Sequence, residues 1–158
     1  MNSIFYKKTV QYKELILPNE LMDDIDYILT NKIKNKIGDK CSKEGFINKD
    51  SIILLERSIG KINSAHFSGN VEYNIQFEVE TCNPLEGNII EHCNVIGKNK
   101  MGIFCKKGPM LIALSKIHHQ DNLNDFDSIV IGDSINIEVI CSKFELNDTE
   151  IHVIGKMV

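Results

Sequence analysis

Alternating apolar and polar residues mark the clearest strand of the chain. From Val71 to Glu80, every second residue is apolar, and Glu, Asn or Gln stands between them. This period of two predicts a strand with one buried and one solvent-facing side, as in an antiparallel sheet. Shorter runs of the same kind predict strands at Ile4 to Leu17, at Gly45 to Ile47 and at Ser51 to Arg57.

A helical period follows Pro18. Apolar residues recur there at steps of three and four, at Leu21, Ile25, Ile28, Leu29, Ile33 and Ile37. Asn19 is the predicted N-cap, and Gly38 is the predicted stop. Residues 58–70 are rich in Gly, Ser and Asn and predict a loop. Together these elements predict a small α+β domain over residues 1–82.

Five shorter strands are predicted beyond a turn at Pro84 to Gly87. Their spans are Asn88 to Val95, Met101 to Lys106, Met110 to Ser115, Ile135 to Cys141 and Glu150 to Met157. The first three form a meander, and polar residues 117–126 are predicted to be a loop before the fourth. This order predicts an all-β, five-stranded OB barrel over residues 83–158, because closing the sheet leaves no exposed edge.

Composition narrows the classes of function. The chain has 158 residues and a formal net charge of -4. Neither half is basic overall, so nucleic-acid binding requires a local patch. Lys7 and Lys8 interrupt the apolar start, and no apolar run approaches the roughly 20 residues of a membrane span. We therefore expect an intracellular protein with no membrane partner.

The reactive residue types do not form a recognisable catalytic pattern. The five cysteines lack any C-x-x-C pair, which predicts reduced thiols in a reducing compartment. His118 and His119 are adjacent and have no cysteine partners at ligand spacing, so no metal site is predicted. Asp23 and Asp24 lie at a predicted helix start, where capping explains them. The sequence therefore predicts no enzyme activity and no cofactor.

A local basic cluster points to RNA. OB barrels bind single strands on the face of their second and third strands, through stacked aromatic side chains and a basic rim. The matching residues here are Phe104, Lys98, Lys100, Lys106, Lys107, Lys116 and His118. The alternative is that Phe104 belongs to the core and that the lysines only solubilise the hairpins. Ala113 stands where such barrels often have His, so we expect weak and salt-sensitive binding.

The order of several motifs resembles a known family. These motifs are Gly38-Asp39-Lys40-Cys41, Gly45-Phe46-Ile47, Ile59-Gly60-Lys61-Ile62, Pro84-Leu85-Glu86-Gly87, Gly108-Pro109-Met110 and Ile151 to Met157. Their order resembles the larger stalk subunit, the seventh-subunit family, of archaeal and eukaryotic DNA-dependent RNA polymerases. The resemblance implies a ribonucleoprotein-like tip domain followed by an OB barrel. Cys82, where the family usually has Phe, and Asn88, where it usually has Glu, depart from the pattern.

The resemblance also implies partners. The tip would dock on the RNA polymerase core subunits through Gly38, Cys41, Gly45, Gly60, Ile62 and Phe67. A small helical stalk partner would bind near the hinge, at Pro84 and Gly87, and nascent single-stranded RNA would bind the barrel weakly. The frequent Ile, Asn and Lys residues favour a divergent, viral member, found in a viral factory and virion; a cellular member would be nuclear. A free-standing OB-fold protein of translation or RNA decay is the competing hypothesis.

Overall fold

The computed structural model of the chain describes residues 4–21, 24–62 and 69–158. These residues divide into two compact units. Those within 6–39 and 47–81 form one unit, which we call the sheet unit. Those within 1–5, 40–46 and 82–158 form the other, which we call the barrel unit.

The first part of the described chain is mostly strand with one long helix. Its elements are β1 (Phe5–Ile16), α1 (Ile25–Ile37), β2 (Lys40–Ser42), β3 (Gly45–Ile47), β4 (Ile53–Arg57), β5 (Lys61–Ile62) and β6 (Val71–Cys82). Single 3-10 turns lie at Pro18–Glu20 and Lys49–Ser51. The predicted α+β character therefore holds in part, and the ribonucleoprotein-like arrangement stays a prediction.

The alternation predicted for β6 is confirmed. Tyr73, Ile75, Phe77 and Val79 are buried, and β4 and β5 both pair antiparallel with β6. The buried side of β6 packs with α1 residues such as Leu29 and Ile33 in one apolar core. Each large aliphatic or aromatic side chain removed from water contributes about 1.5–3 kcal/mol, so this cluster supports the sheet unit.

The helix begins later than the sequence predicted. Asp24, not Asn19, is the N-cap, because its carboxylate accepts a hydrogen bond of 3.2 Å from the Tyr27 N–H. Asn19 lies instead in the 3-10 turn at Pro18–Glu20, which ends in extended backbone at Leu21. The C-terminal prediction is confirmed, since the Gly38 N–H donates to Lys34 O at 2.9 Å.

The second part of the chain forms a closed barrel. Its strands are β7 (Ile89–Lys98), β8 (Gly102–Lys107), β9 (Met110–Ser115), β10 (Ser134–Lys143) and β11 (Ile151–Met157), joined in the order β10-β11-β9-β8-β7. β9 and β11 pair in parallel, whereas β7 with β8, β8 with β9, and β10 with both β11 and β7 pair antiparallel. This mixed five-stranded barrel is consistent with the predicted OB barrel.

The connection before β10 is helical, which corrects the predicted loop over residues 117–126. A 3-10 segment (Lys116–Asn122) leads into α2 (Leu123–Ser128). Two of its side chains are buried, His119 at 1% and Phe126 at 0% exposure, and their rings lie 4.5 Å apart. His119 Nε2 accepts the Met157 N–H at 2.8 Å, which ties the connection to β11. The abundant Asp and Asn residues concealed this helix, because they usually favour turns.

Residues 40–46, which form most of the β2-β3 hairpin, belong to the barrel unit, although they precede β4 in the chain. The Cys41 N–H donates to Asp148 O at 2.7 Å, and the Asn147 N–H donates to Cys41 O at 2.8 Å. Cys41 is 2% exposed and is part of the barrel core. Within the described residues, no helix is long and apolar enough to cross a membrane.

Candidate nucleic-acid interface

Phe104 lies on the outer wall of the barrel. It is 39% exposed, whereas its neighbours Ile103 and Cys105 on β8 are fully buried. Successive side chains of a strand point to opposite faces, so the ring faces outward while its neighbours fill the interior. The alternative in which Phe104 is a core residue is therefore wrong.

Small residues flank the Phe104 ring. Strand pairing places Gly97 of β7 on one side of Phe104 and Ala113 of β9 on the other. A Cβ built at Gly97 would lie 3.9 Å from Phe104 Cβ and Cδ2, so the ring runs beside a position that has no side chain. A flat ring flanked by Gly and Ala offers a surface on which a base can stack.

Lys106 shares the outer face with Phe104. It stands two residues further along β8 and pairs with Asn94 and Leu111. Its Nζ lies 3.8 Å from a carboxylate oxygen of Glu150, and both side chains are about half exposed. An exposed ion pair of this kind contributes at most about 1 kcal/mol, so Lys106 can exchange Glu150 for a phosphate.

Lys98 and Lys107, which were also predicted to bind RNA, do not lie on the outer face with Phe104. Lys98 Nζ donates to Asp127 O at 2.6 Å and to Ile129 O at 2.9 Å, at the C-terminal end of α2. A cation there complements the partial negative charge of the carbonyl groups. Lys107 pairs with Met110, whose side chain is fully buried. The Lys107 side chain therefore starts from the opposite face of β8 to Phe104.

The remaining predicted residues are also dispersed. Lys100 lies in the exposed turn between β7 and β8. Lys116 Nζ lies 3.6 Å from a carboxylate oxygen of Asp127. His118 lines a separate groove, together with Glu86, Glu138 and Lys156. The structure therefore brings together Phe104 and Lys106 but spreads the other five residues over the barrel unit.

Lys98 is expected to contribute more to stability than to RNA affinity. Replacing Lys98 by methionine keeps the aliphatic stem but removes both hydrogen bonds to the Asp127 and Ile129 carbonyls. We expect the free energy of unfolding to fall by about 1–2 kcal/mol, as for loss of charged hydrogen bonds near the surface. Urea unfolding measures this change, and Lys100→Met is the matched control. Equal stability of the two variants would contradict the capping role.

The predicted docking residues of the sheet unit divide into structural and exposed positions. Gly38 ends α1. A Cβ at Gly60 would lie 2.7 Å from Tyr73 Oη, so this position requires glycine for close packing. Ile62 on β5 is 68% exposed, and Ile59, three residues before it, is 91% exposed. Phe67 lies outside the described residues.

Cys41 and Gly45 have structural roles in the barrel unit. Cys41 is held by the backbone bonds of the β2-β3 hairpin described above. Gly45 has φ +114°, and a Cβ there would lie 2.5 Å from Cys82 O, so both conformation and space require glycine. These two motif residues therefore shape the hairpin and expose little surface of their own.

The predicted hinge is hydrogen-bonded to the barrel. Pro84 O accepts from Ser142 Oγ at 2.7 Å, and the Gly87 N–H donates to Val139 O at 2.9 Å. Gly87 has φ +87° in the turn closed by Asn88 N–H and Leu85 O at 3.0 Å. Two contacts with β10 thus fix this turn on the barrel unit.

Sequence reasoning missed the outward residues of β10 and β11. Strand pairing places Ile154 beside Ala113, and His152 beside Leu111. Lys143 pairs in turn with His152. The alternation of each strand could have shown that these residues face outward, but not that they lie next to β9, because the parallel pairing joins distant parts of the chain.

Buried thiols in the barrel unit have raised pKa values. Burial raises the pKa of Cys93 to about 11, although the Lys107 cation acts in the opposite direction. Burial also raises the pKa of Cys105 to about 12, with a further contribution from Cys93. A raised pKa disfavours the thiolate, which is the nucleophile and metal ligand. In the part of the chain that the structure describes, no three His, Cys, Asp or Glu side chains are grouped to hold a metal.

The chain is similar to a viral protein over almost its whole length. No protein-family model matches the chain. A protein of Acanthamoeba polyphaga mimivirus, named a candidate DNA-directed RNA polymerase subunit, is 25% identical over 170 residues. The alignment covers 99% of this chain and 83% of the viral protein, so it includes both the sheet unit and the barrel unit.

Proposed function

We propose that the chain is a non-catalytic accessory subunit of a DNA-directed RNA polymerase, and that it is the stalk subunit whose motif order it resembles. The observation that carries this proposal is the similarity to the viral polymerase protein over 99% of the chain. The closed five-stranded barrel supports it further, because the resemblance implies an OB barrel in the second half.

The sheet unit anchors the subunit on the polymerase core. Its segment from β4 to β5 exposes four large apolar side chains, at Ile53, Leu55, Ile59 and Ile62. An apolar surface of this kind in a soluble protein is typical of a protein interface. The segment includes two of the motif positions implied by the resemblance, Gly60 and Ile62.

The barrel contacts nascent single-stranded RNA weakly. Phe104 provides a stacking surface, and Lys106 provides a cation on the same face. The other predicted RNA-binding residues are dispersed, and the chain carries a net charge of -4. Weak, salt-sensitive and sequence-tolerant binding is the expected result. A small helical stalk partner binds near Pro84 to Gly87, where Leu85 is 60% exposed.

The anchoring surface can be tested with a charged substitution. Ile62→Asp is expected to reduce co-purification with the large polymerase subunits at least tenfold, because a carboxylate would be desolvated in the interface. Leu146→Asp is the matched control, since Leu146 is 72% exposed in the barrel unit. Equal retention of both variants would contradict anchoring through this segment.

The competing function predicts different partners. A free-standing OB-fold protein of translation or RNA decay would co-purify with ribosomes or an exonuclease, and without polymerase subunits. The mimivirus similarity favours the polymerase hypothesis, because the name of that protein specifies DNA-directed RNA polymerase.

A further inference from the structure

We propose that the RNA contact extends beyond β8 and β9 and crosses the outer wall of the barrel to β11 and β10. Ile154 is a second contact for a base, and His152 and Lys143 are contacts for phosphates. The ligand is single-stranded RNA lying across the strands. This inference rests on the RNA-binding part of the proposed function and is independent of attachment to the polymerase.

An uncharged row crosses all five strands of the barrel. Cross-strand pairs place its members in order, as Gly97, Phe104, Ala113, Ile154 and Cys141. Phe104 is 39% exposed and Ile154 is 43% exposed, with the small Ala113 between them. Neighbouring strands lie about 4.8 Å apart, so the two large side chains are separated by about 10 Å. That spacing accommodates two unstacked bases side by side.

A second row, which carries the cations, runs beside the first. Its members are Asn94, Lys106, Leu111, His152 and Lys143, each paired with the next across neighbouring strands. Lys106, His152 and Lys143 stand two positions from Phe104, Ile154 and Cys141 on their own strands. Two residues of a strand span about 7 Å, which matches the offset between a base and its phosphate. The row itself contains no carboxylate.

We call these two rows the track. Charged residues beside the track limit where the RNA backbone can lie. On β11 and β10, the row beyond the uncharged one contains the ion pair of Lys156 and Glu138, at 3.4 Å. Glu138 on that side and Glu150, which lies 3.8 Å from Lys106 on the other side, repel phosphate and confine the backbone to the row of Lys106 and Lys143. A duplex hides its base faces, so the apolar row favours single strands over double-stranded RNA.

Binding of a labelled 12-nucleotide oligouridine to the full-length chain tests the track. Ile154→Ser is expected to weaken binding about 5-fold or more, as for loss of a base contact, while Leu146→Ser leaves it unchanged. Lys143→Gln is expected to reduce the slope of log affinity against log salt by about 0.7, the value for one phosphate on a single strand. Lys43→Gln, in the exposed turn between β2 and β3, is its control. Thermal unfolding verifies that each variant is folded.

Each outcome distinguishes the track from its alternatives. If Phe104→Ala weakens RNA binding but Ile154→Ser and Lys143→Gln do not, the RNA is confined to β8 and β9 and the proposal is overturned. If Ile154→Ser binds RNA normally but is no longer retained on the polymerase, the surface is a protein interface, and the proposal is also overturned. Absence of RNA binding by a chain that still co-purifies with polymerase would refute the track while leaving the subunit assignment intact.

Discussion

Replacing Gly102 by alanine is expected to destabilise the barrel by about 3 kcal/mol or more, because the added methyl group has no space. A Cβ at Gly102 would overlap the carbonyl oxygen of Leu114 and lie 3.1 Å from its carbonyl carbon. Both atoms belong to the backbone of β9, which is paired with β8 and β11 and cannot move aside. Chemical denaturation followed by far-UV circular dichroism measures the loss.

Gly97→Ala is the matched control for this substitution. Gly97 is also a strand glycine, but a Cβ there meets only the Phe104 side chain, at the ordinary contact distance of 3.9 Å. We expect Gly97→Ala to change the free energy of unfolding by less than about 0.5 kcal/mol. A Gly102→Ala protein as stable as Gly97→Ala would contradict the tight approach of β8 to β9.

Alkaline pH is expected to destabilise the protein steeply, through three buried thiols. The pKa is raised by burial to about 11 for Cys41 and Cys93 and to about 12 for Cys105, from an ordinary value of 9.0. Between pH 9 and 11 the unfolded thiols lose their protons while the folded ones keep them. The unfolded state therefore binds fewer protons, and stability falls as pH rises, by up to about 4 kcal/mol per pH unit. Below pH 9 the contribution of these thiols to stability is fully present.

Urea unfolding at several pH values measures this slope. Cys105→Ala should reduce the slope by about 1.4 kcal/mol per pH unit between pH 9 and 11, the contribution of one proton, whatever its effect at neutral pH. Cys141→Ala, at an exposed cysteine, is the matched control. Identical slopes for wild type and Cys105→Ala would show that the buried thiols do not govern alkaline unfolding.

Local patterns predicted the strands of this fold well. The alternation in β6 and the runs in β7 to β11 reflect side chains that face opposite sides of a sheet, and this period is visible in sequence. The predictions for the start of α1 and for the connection before β10 were wrong for different reasons. Pro18 and Asn19 form a 3-10 turn, so α1 begins only after Asp24. The Asp and Asn residues around Phe126 favour turns locally, but burial of Phe126 and His119 in the barrel unit overrides that preference.

The candidate RNA site was less predictable, because it depends on pairing between distant strands. The sequence shows Lys98, Lys106 and Lys107 close together, but strand alternation sends them to different sides. Only the pairing of β9 with β11 brings Ile154 and His152 beside the Phe104 strand pair. A contact that joins residues about 40 positions apart leaves no local period to detect.

The motif residues that carry the family resemblance are largely structural. Gly45, Gly60 and Gly87 occupy positions where a Cβ would clash or where φ is positive. Cys41 is buried in the barrel unit. They therefore determine the local shape of the chain, whereas the proposed contacts lie on exposed residues such as Ile62 and Phe104. Substituting the exposed residues tests function without disrupting the fold.

Purification of the native polymerase through its largest subunit tests the central claim most directly. Quantitative mass spectrometry of that complex, from the cells or virions that produce the chain, gives the number of copies per polymerase. We predict about one copy of this chain per largest subunit, retained at moderate salt. Absence of the chain from the polymerase, together with its recovery on ribosomes or an exonuclease, would contradict the assignment as a polymerase subunit.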